Sequence, residues 1–555
     1  MKIALISMEI IPGRPDLNAA TMAERIREAK DAHAELALFP ALSLSGLFLG
    51  SVWKQPSFVR DCMAYAEEIA AAADGITVIF GNVAAGGEGC CGLSRTLLHA
   101  RDGVLREVAH SPLHGTGNTF APLLYELPNE NIILAADVSP FPICFGVRTL
   151  AETAREKHKS ILYVNTLGLQ DKGKTIYTFA GRAQVFNAAG ERILMSPAYT
   201  EGVTVIDTEH LPPVLTSHSE KPIAPIHRML RYAVQEFLAR IHMERVVIGI
   251  SGGIDSAVAA ALYVDAIGAD KVLLVNMPSR FNSATTKGLA AQLAENLGCR
   301  HMIVPIEESV AHTVDQLTTV PIMGKCAAEG EHLAISSFVR ENMQARDRSG
   351  RVLSAVAAAW NAGFTCNANK AESTVGYATL YGDQAGFLSA LADLWKYQVY
   401  DLARYLNDSV YGREVIPQGI IDIVPSAELS DAQNVDEGKG DPIRYPYHDY
   451  LFRAFAENNE TPEEILEYYA KNALEAHIGC KKGLVAEYFP TVADFIADLE
   501  RWWGLYTGMA VAKRIQSPPL LSVSGRAYGS DHPESQIGSY ETIRYRALKE
   551  KLLQK

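Results

Sequence analysis

A run of small, hydroxyl-bearing and acidic residues at Gly249 to Val258, Gly-Ile-Ser-Gly-Gly-Ile-Asp-Ser-Ala-Val, has the types and spacing to hold a polyphosphate. Gly252 and Gly253 let the backbone turn sharply and bring its N–H groups close to an anion, while Ser251 and Ser256 add hydroxyl donors. Asp255 sets a carboxylate beside the phosphates, where it can hold Mg²⁺. No Gly-Lys-Ser/Thr follows the turn, so the run is not a Walker loop. Arg245-Val-Val-Ile-Gly-Ile, just before it, suits a buried parallel strand, and Ala257 to Val264, just after, is alanine-rich and apolar at helical spacing. Strand, glycine turn and helix N-terminus in that order make a phosphate cradle; the plainer alternative is an ordinary glycine-rich strand-to-helix turn.

The elements around this turn need more than one core. A chain of 555 residues suggests two or three domains, and 48% hydrophobic with 21% charged residues describes a soluble globular protein. No apolar run approaches the ~20 residues of a membrane span, and Met1-Lys2-Ile3-Ala4 runs straight into a strand, so a cytoplasmic protein with no membrane partner is expected. A net charge of −13 argues against a nucleic-acid surface, which needs clustered Lys and Arg. The eight cysteines are scattered, with only Cys90 and Cys91 close together. That spacing offers neither a disulfide framework nor a zinc pattern, and they read as free thiols.

In chain order, Lys2 to Met8 and Glu35 to Phe39 read as strands around a helix over Asp16 to His33; Ile76 to Phe80, Thr96 to His99 and Ile161 to Val164 add short apolar runs. Gly86 to Cys91 reads as a flexible loop. Pro212 to Pro225 lacks an apolar period and reads as a domain boundary, followed by a helix over Ile226 to Ile241. Lys271 to Arg280 is a second parallel strand ending in a turn, so Arg280 points toward a nucleotide at the carboxyl end of the sheet. Thr285 to Leu297 is a helix, His301 to Pro305 a third strand, and Glu341 through Trp360 one further helix on which Asn342 and Arg346 share a face.

The glycine turn resembles the Ser-Gly-Gly-x-Asp-Ser loop of the ATP pyrophosphatases, which adenylylate a carboxyl or carbonyl oxygen and release pyrophosphate. Further segments narrow the likeness to the NAD synthetases. They are Glu341-Asn-Met-Gln-Ala-Arg346; Asn367-Ala-Asn-Lys-Ala-Glu372, followed by Gly376-Tyr-Ala-Thr-Leu-Tyr-Gly-Asp383; Asp393-Leu-Trp-Lys396; Pro425-Ser-Ala-Glu-Leu; and Lys513-Arg-Ile-Gln-Ser-Pro-Pro. The resemblance implies ATP contacts from Gly249, Ser251, Gly252, Gly253, Asp255, Ser256, Arg280, Asn367 and Lys396. It implies Mg²⁺ on Asp255 and Glu372, and a role at the reacting end for Asp383, with Asp255, Lys396 and Asp383 as the catalytic set. Substrate contacts fall to Asn342, Arg346, Asn369, Lys370, Asp383, Lys513 and Arg514. Asn367, Ala368 and Ala371 depart from the family's Thr, Gly and Ser. The Pro-Ser-Ala-Glu-Leu segment is, in the family, a loop that closes over the site.

Phe39-Pro-Ala-Leu-Ser-Leu-Ser-Gly, Tyr163-Val-Asn-Thr-Leu-Gly and Phe179-Ala-Gly-Arg-Ala resemble the nitrilase-type amidase that precedes the synthetase in glutamine-dependent members. That amidase uses a Glu, a Lys and a nucleophilic Cys. Here Ala41 stands where the family has Glu, and no lysine lies between Lys54 and Lys157, His110 being the nearest basic residue to the expected place. Cys144 can be matched to the family's Ile-Cys-Glu-Asp strand without its acids. Alternatively Asp137-Val-Ser-Pro-Phe matches a later family element and the nucleophile segment is deleted, the preferred register, which leaves Cys144 a structural thiol.

The resemblance therefore implies an α/β chain with a nitrilase-like α-β-β-α sandwich over 1–215, inactive as an amidase, and a linker over 216–225. A Rossmann-like ATP pyrophosphatase domain with a helical subdomain and tail fills 226–555. The implied reaction is ATP-dependent amidation of nicotinic acid adenine dinucleotide, using free ammonia or ammonia from a separate donor, in a homo-oligomer. A glutamine-dependent enzyme with an atypical amidase, another pyrophosphatase-loop enzyme and a decayed nucleotide-binding module are the alternatives.

Overall fold

The structure, a computed structural model, describes residues 1–85, 92–113, 121–142, 144–216, 220–430, 433–532 and 538–554, without the side chains of 144–148. Gly86–Cys91, read above as a loop, lies outside the described residues. The chain divides into two compact units, Met1–Lys221 and Pro222–Lys555.

In chain order the first unit carries β1 (Lys2–Ser7), α1 (Pro15–Asp31), β2 (Leu36–Leu38), α2 (Pro56–Ala72), β3 (Thr77–Ala85), β4 (Leu93–Arg101), β5 (Val104–Pro112) and β6 (Leu123–Glu126). β7 (Ile132–Asp137), α3 (Cys144–Lys157), β8 (Ser160–Asn165), β9 (Leu167–Lys172), β10 (Thr175–Ala180), β11 (Gln184–Phe186), β12 (Arg192–Met195) and β13 (Gly202–Asp207) follow. One sheet has six strands in the order β13-β1-β2-β3-β4-β5 and another five in the order β12-β11-β8-β7-β6.

Side-chain alternation explains why these strands read as unbroken apolar runs. Ile3 and Leu5 of β1 pack between the sheets with Leu134, Ala136, Leu162 and Val164. Ala4 and Ile6 pack on the other face with Met22 and Ile26 of α1 and Ile69 of α2. Ile133, Ala135 and Tyr163 of the second sheet pack with Leu150 and Ala154 of α3. Helix, sheet, sheet and helix thus form the expected α-β-β-α sandwich.

Two readings of this unit need correction. β4 and β5 form a long antiparallel hairpin around the short run at Thr96 to His99; β5 is half exposed, so its composition carries no apolar signal. The alternative that places Cys144 on a strand fails. β7 runs parallel to β8, from Ile132 beside Ser160 to Asp137 beside Asn165, with α3 as the connection. Cys144 opens that helix and lies on no strand.

The second unit opens with α4 (Ile223–Arg240), which begins ahead of Ile226, inside the segment read as linker. β14 (Val246–Gly249), α5 (Ile254–Ile267), β15 (Val272–Asn276), α6 (Ala284–Leu297), β16 (Arg300–Ile303), α7 (Glu307–Thr319), α8 (Ser337–Arg346), α9 (Ser354–Ala359) and β17 (Gly363–Phe364) follow. The strands make an all-parallel sheet in the order β16-β15-β14-β17. Since β15 lies on one side of β14 and β17 on the other, the carboxyl end of β14 is the switch point where ligands bind in such sheets. α5 is buried on nearly every face, which is why it reads apolar all round.

The helix expected as one piece over Glu341 to Trp360 starts earlier, at Ser337, because the Ser336 hydroxyl caps Val339 N. It is then interrupted by a π-helical segment over Asp347–Leu353. α10 (Lys370–Val375), α11 (Lys396–Tyr405) and α12 (Gln418–Asp422) lead into α13 (Tyr445–Ala456), α14 (Pro462–Ala470), α15 (Leu474–Ile478), α16 (Leu484–Tyr488), α17 (Val492–Thr507) and α18 (Met509–Gln516). α13 to α17 share an aromatic core around Phe452, Phe455 and Trp502. Among the described residues no helix is long and apolar enough to cross a membrane.

At the edge of that core His532 is 8% exposed, with Tyr506 Oη 2.7 Å from its Nε2. Burial lowers its pKa from 6.5 to about 4, so between those values the unfolded chain takes up a proton that the folded chain refuses. Stability therefore falls as pH drops from 6.5 to about 4, by roughly 3 kcal/mol in all. Denaturant unfolding across that range should show this loss in the parent chain and a flatter profile in His532→Gln.

Candidate active site

The glycine turn sits at the carboxyl end of β14, as its flanks require. Gly252 has φ +84°, and a Cβ there would lie 2.2 Å from the carbonyl oxygen of Thr286. Only glycine meets both demands. The turn is tied internally: Ser251 N donates to Ser256 Oγ at 3.2 Å, Gly253 N to Ser251 Oγ at 3.2 Å, and Ser256 Oγ to Gly253 O at 3.0 Å. No side chain caps α5, so the amides of its first turn face the cavity and are available to an anion.

That cavity encloses about 290 Å³, and ten of the residues singled out from the sequence line it: Gly249, Ser251, Gly252, Gly253, Asp255, Ser256, Asn367, Glu372, Asp383 and Lys396. Lys396 is 3% exposed and its Nζ lies 2.5 Å from Asp255 Oδ2 and 3.8 Å from Glu372 Oε1. Asn369 holds the two carboxylates in place. Its Nδ2 donates to Asp255 Oδ1 at 3.2 Å, its Oδ1 accepts from Glu372 N at 3.1 Å, and its own N–H donates to Glu372 Oε2 at 3.2 Å. The last two bonds close a capping box at the start of α10.

The electrostatics are those of crowded carboxylates. Burial and then the Asp255 charge raise Glu372 against the pull of Lys396. Burial likewise raises Asp383 and Asp441. For Lys396, burial acts downward, but Asp255 and Glu372 together outweigh it and leave the ammonium above the ordinary lysine value. An excess of hard oxygen donors beside an anion cradle fits Mg²⁺. Among the described residues no three His, Cys, Asp or Glu side chains form a ready-made metal cluster. Asp255 and Glu372 would therefore need phosphate oxygens to complete the coordination.

Other expected contacts lie off the cavity wall. Arg280 is exposed, paired with Glu307 at 3.8 Å and stacked on Phe281. Asn342 and Arg346 do share a face, but it meets the 379–380 segment: Thr379 Oγ1 donates to Asn342 Oδ1 and Arg346 Nε to Leu380 O. Asn369 is fully buried and positions carboxylates. Lys370 is also fully buried, with Nζ 2.7 Å from Asp393 Oδ1 and 2.8 Å from Glu457 Oε1. Lys513 Nζ donates to Gly376 O at 2.7 Å, and Arg514, 5% exposed, donates to Thr374 O and Tyr506 O. Lys370 and Arg514 are structural cations here, because periodicity marks a charged residue without saying into which side of a helix its stem is packed.

The structure also adds residues. Arg348 lines the cavity, its Nε donating to Met277 O at 3.1 Å and Nη2 to Asn282 Oδ1 at 3.3 Å. Its spacing of two from Arg346 puts it on a different face, the one it shares with Ala345 and Ser349, which also line the cavity. Tyr377 donates to Asp441 Oδ1 at 3.0 Å and accepts from Gln433 Nε2 at 2.8 Å. Both Tyr377 and Asp441 line the cavity. In the first unit, Asp137 is fully buried and accepts from Val138 N, Ser139 Oγ and Tyr163 Oη at 2.7, 2.8 and 2.9 Å; burial raises its pKa against the pull of these donors and of buried Arg95.

Residues 226–478 match the family model for NAD synthase. Over 580 aligned residues the chain is 28% identical to the glutamine-dependent NAD(+) synthetase of Xylella fastidiosa, covering 96% of this chain and 97% of that one. A glutamine-dependent NAD(+) synthetase from Cytophaga hutchinsonii superposes with TM-score 0.76 at 15% identity, covering 100% of this chain and 99% of the other. That of Acinetobacter baumannii, solved with ADP, gives 0.65 at 24% identity, with 97% and 98% covered. These structural likenesses carry the two-unit fold. All three named proteins are glutamine-dependent by name.

Gly252→Ala should lower the melting temperature and weaken ADP binding at least about tenfold by calorimetry, because the added methyl forces the turn off the Thr286 carbonyl. Lys370→Met should instead destabilise the chain by about 3–5 kcal/mol in denaturant titration, by leaving the fully buried Asp393 carboxylate without its cation.

Proposed function

The chain belongs to the NAD synthetase family, with its synthase domain at residues 226–478, and we propose that it amidates nicotinic acid adenine dinucleotide to NAD at the expense of ATP. The observation that carries this reading is the convergence of the glycine turn, the Asp255–Lys396–Glu372 cluster and Asp383 on one cavity.

In this reading the turn amides and the N-terminus of α5 bind the ATP phosphates. The substrate carboxylate attacks the α-phosphate, an adenylate forms and pyrophosphate leaves. Mg²⁺ on Asp255 and Glu372 would neutralise charge on the phosphate oxygens. Lys396, beside Asp255 and Glu372, would supply an ammonium to the charge that builds on the leaving pyrophosphate, where a mobile point charge is most useful. Nitrogen then attacks the acyl carbon, displacing AMP. Asp383, raised by burial and steadied by Thr379 N at 2.7 Å, is placed to take the proton that the attacking ammonia sheds.

Two observations pull apart on the nitrogen source. The relatives are glutamine-dependent by name, which supports glutamine hydrolysis in the first unit. The residues of that unit support free ammonia. Ala41 is fully buried and its N–H donates to Asp137 O at 3.2 Å, so the position of the family's glutamate does meet the end of β7, but without a carboxylate. The family's Ile-Cys-Glu-Asp, laid on β7 with its aspartate at Asp137, falls on Leu134-Ala135-Ala136-Asp137 and finds no sulfur. Cys62 is fully buried and burial pushes its thiol up to about 12, too high for a nucleophile.

Purified protein with ATP, Mg²⁺ and nicotinic acid adenine dinucleotide should form NAD, and Lys396→Met should lower kcat at least about 100-fold with a smaller change in KM. Ammonium supporting the reaction where glutamine does not would establish the ammonia reading. Equal rates with both donors would establish the glutamine reading, and no NAD from either would overturn the synthetase assignment.

A further inference from the structure

The loop after α12 lines the cavity through Ile423 to Leu429 and again at Val435 and Asp441. Within it Glu428 is anomalous. It is 2% exposed in a chain segment that is otherwise largely accessible, and its φ is +46°, a left-handed conformation that a glutamate adopts only when its surroundings impose it. Its carboxylate accounts for both features. Oε1 accepts from Ser283 N at 3.1 Å, and Oε2 accepts from Thr286 Oγ1 at 2.7 Å and Asn282 Nδ2 at 3.3 Å. All three donors belong to the start of α6, where Ser283 is the capping residue and where a negative charge is favoured by the exposed amides.

The dock is itself braced. Arg348 Nη2 and Ser279 N both donate to Asn282 Oδ1, at 3.3 and 2.9 Å, which turns the Asn282 amide nitrogen toward Glu428. Thr286, the strongest donor to Glu428, is also the residue whose carbonyl oxygen confines Gly252 in the glycine turn. One turn of α6 therefore meets the phosphate cradle through its backbone and the loop through its side chain.

We infer that Glu428 is a positioning residue that latches the 424–429 segment onto α6 before any ligand arrives, so that nucleotide enters a wall already assembled. This rests on the reading of the cavity as an ATP site, and it assigns Glu428 to affinity, with no part in the chemical step. Its neighbours Ser426, Ala427 and Leu429 line the cavity and are held there by the latch together with the bond from Gln344 Nε2 to Leu429 O at 2.9 Å.

The test compares full-length parent, Glu428→Ala, Glu428→Gln and Thr286→Val by hydrogen exchange of the 424–429 segment, calorimetric binding of ADP and steady-state kinetics. With the latch, Glu428→Ala speeds exchange of that segment in the ligand-free protein. It also weakens ADP about tenfold and raises KM for ATP by a similar factor, with kcat within about threefold. Glu428→Gln, which keeps one acceptor oxygen for Ser283 N and offers its amide nitrogen to the Thr286 hydroxyl but loses the bond from Asn282, restores part of the affinity. Adding Thr286→Val to Glu428→Ala costs little more. Unchanged exchange in Glu428→Ala, equal loss of kcat and kcat/KM, or additive effects of the two substitutions would overturn the latch. A parent protein that makes no NAD would remove the synthetase reading and leave the exchange measurement as a test of the latch alone.

Discussion

The second unit is built around a charge imbalance: one buried ammonium, Lys396, stands between Asp255 and Glu372, with Asp383 and Asp441 on the wall of the same cavity. Several carboxylates out of bulk water are costly, and a single lysine does not balance them. The fold spends considerable structure on keeping them together. Asn369 bonds both members of the central pair, α10 starts with a capping box formed by one of them, and α11 begins at the lysine itself. A site strained in this way is stabilised by whatever brings positive charge and takes negative charge in hand, which suits it to a metal–polyphosphate pair.

Around that centre the supporting shell is as specific as the centre. Lys370, one residue from Asn369, leaves the cavity and joins Asp393, Glu457, Ser524 Oγ and the carbonyl of Arg526. Asp393 in turn accepts from the amides of Val523 and Ser524. The capping residue of α10 is thereby fastened, through its neighbour, to the C-terminal segment. A fully connected buried network of this kind fixes orientation more than it adds stability.

How much of this the sequence discloses depends on what a residue type can encode. The turn at Ser251 to Ser256 is legible because glycine, serine and aspartate each have a backbone or donor role that few other contexts demand. The sandwich of the first unit is legible in its apolar strands, and β5 is not, since its half-exposed residues carry no period. Lys370 and Arg514 read as substrate contacts from their motifs, yet both stems turn into the protein interior. Glu428 was hidden for the opposite reason: a left-handed backbone turns it into place, and that conformation has no sequence pattern of its own.

The π segment over Asp347–Leu353 carries a consequence for how this site tolerates change in chain length. A π turn accommodates about one residue more than the α-helical path it replaces, while the hydrogen-bonded rod continues on either side. Deleting one residue within it would let the rod close up as an ordinary α-helix, and each residue so shifted swings by about 100°. Arg346, ahead of the segment, would keep its bond to Leu380 O, while the residues beyond the deletion, Leu353 among them, would be carried off the cavity wall. The helix thus joins two surfaces whose relative phase is set by one surplus residue, so the site is more vulnerable to a shortened chain here than to many changes of side chain.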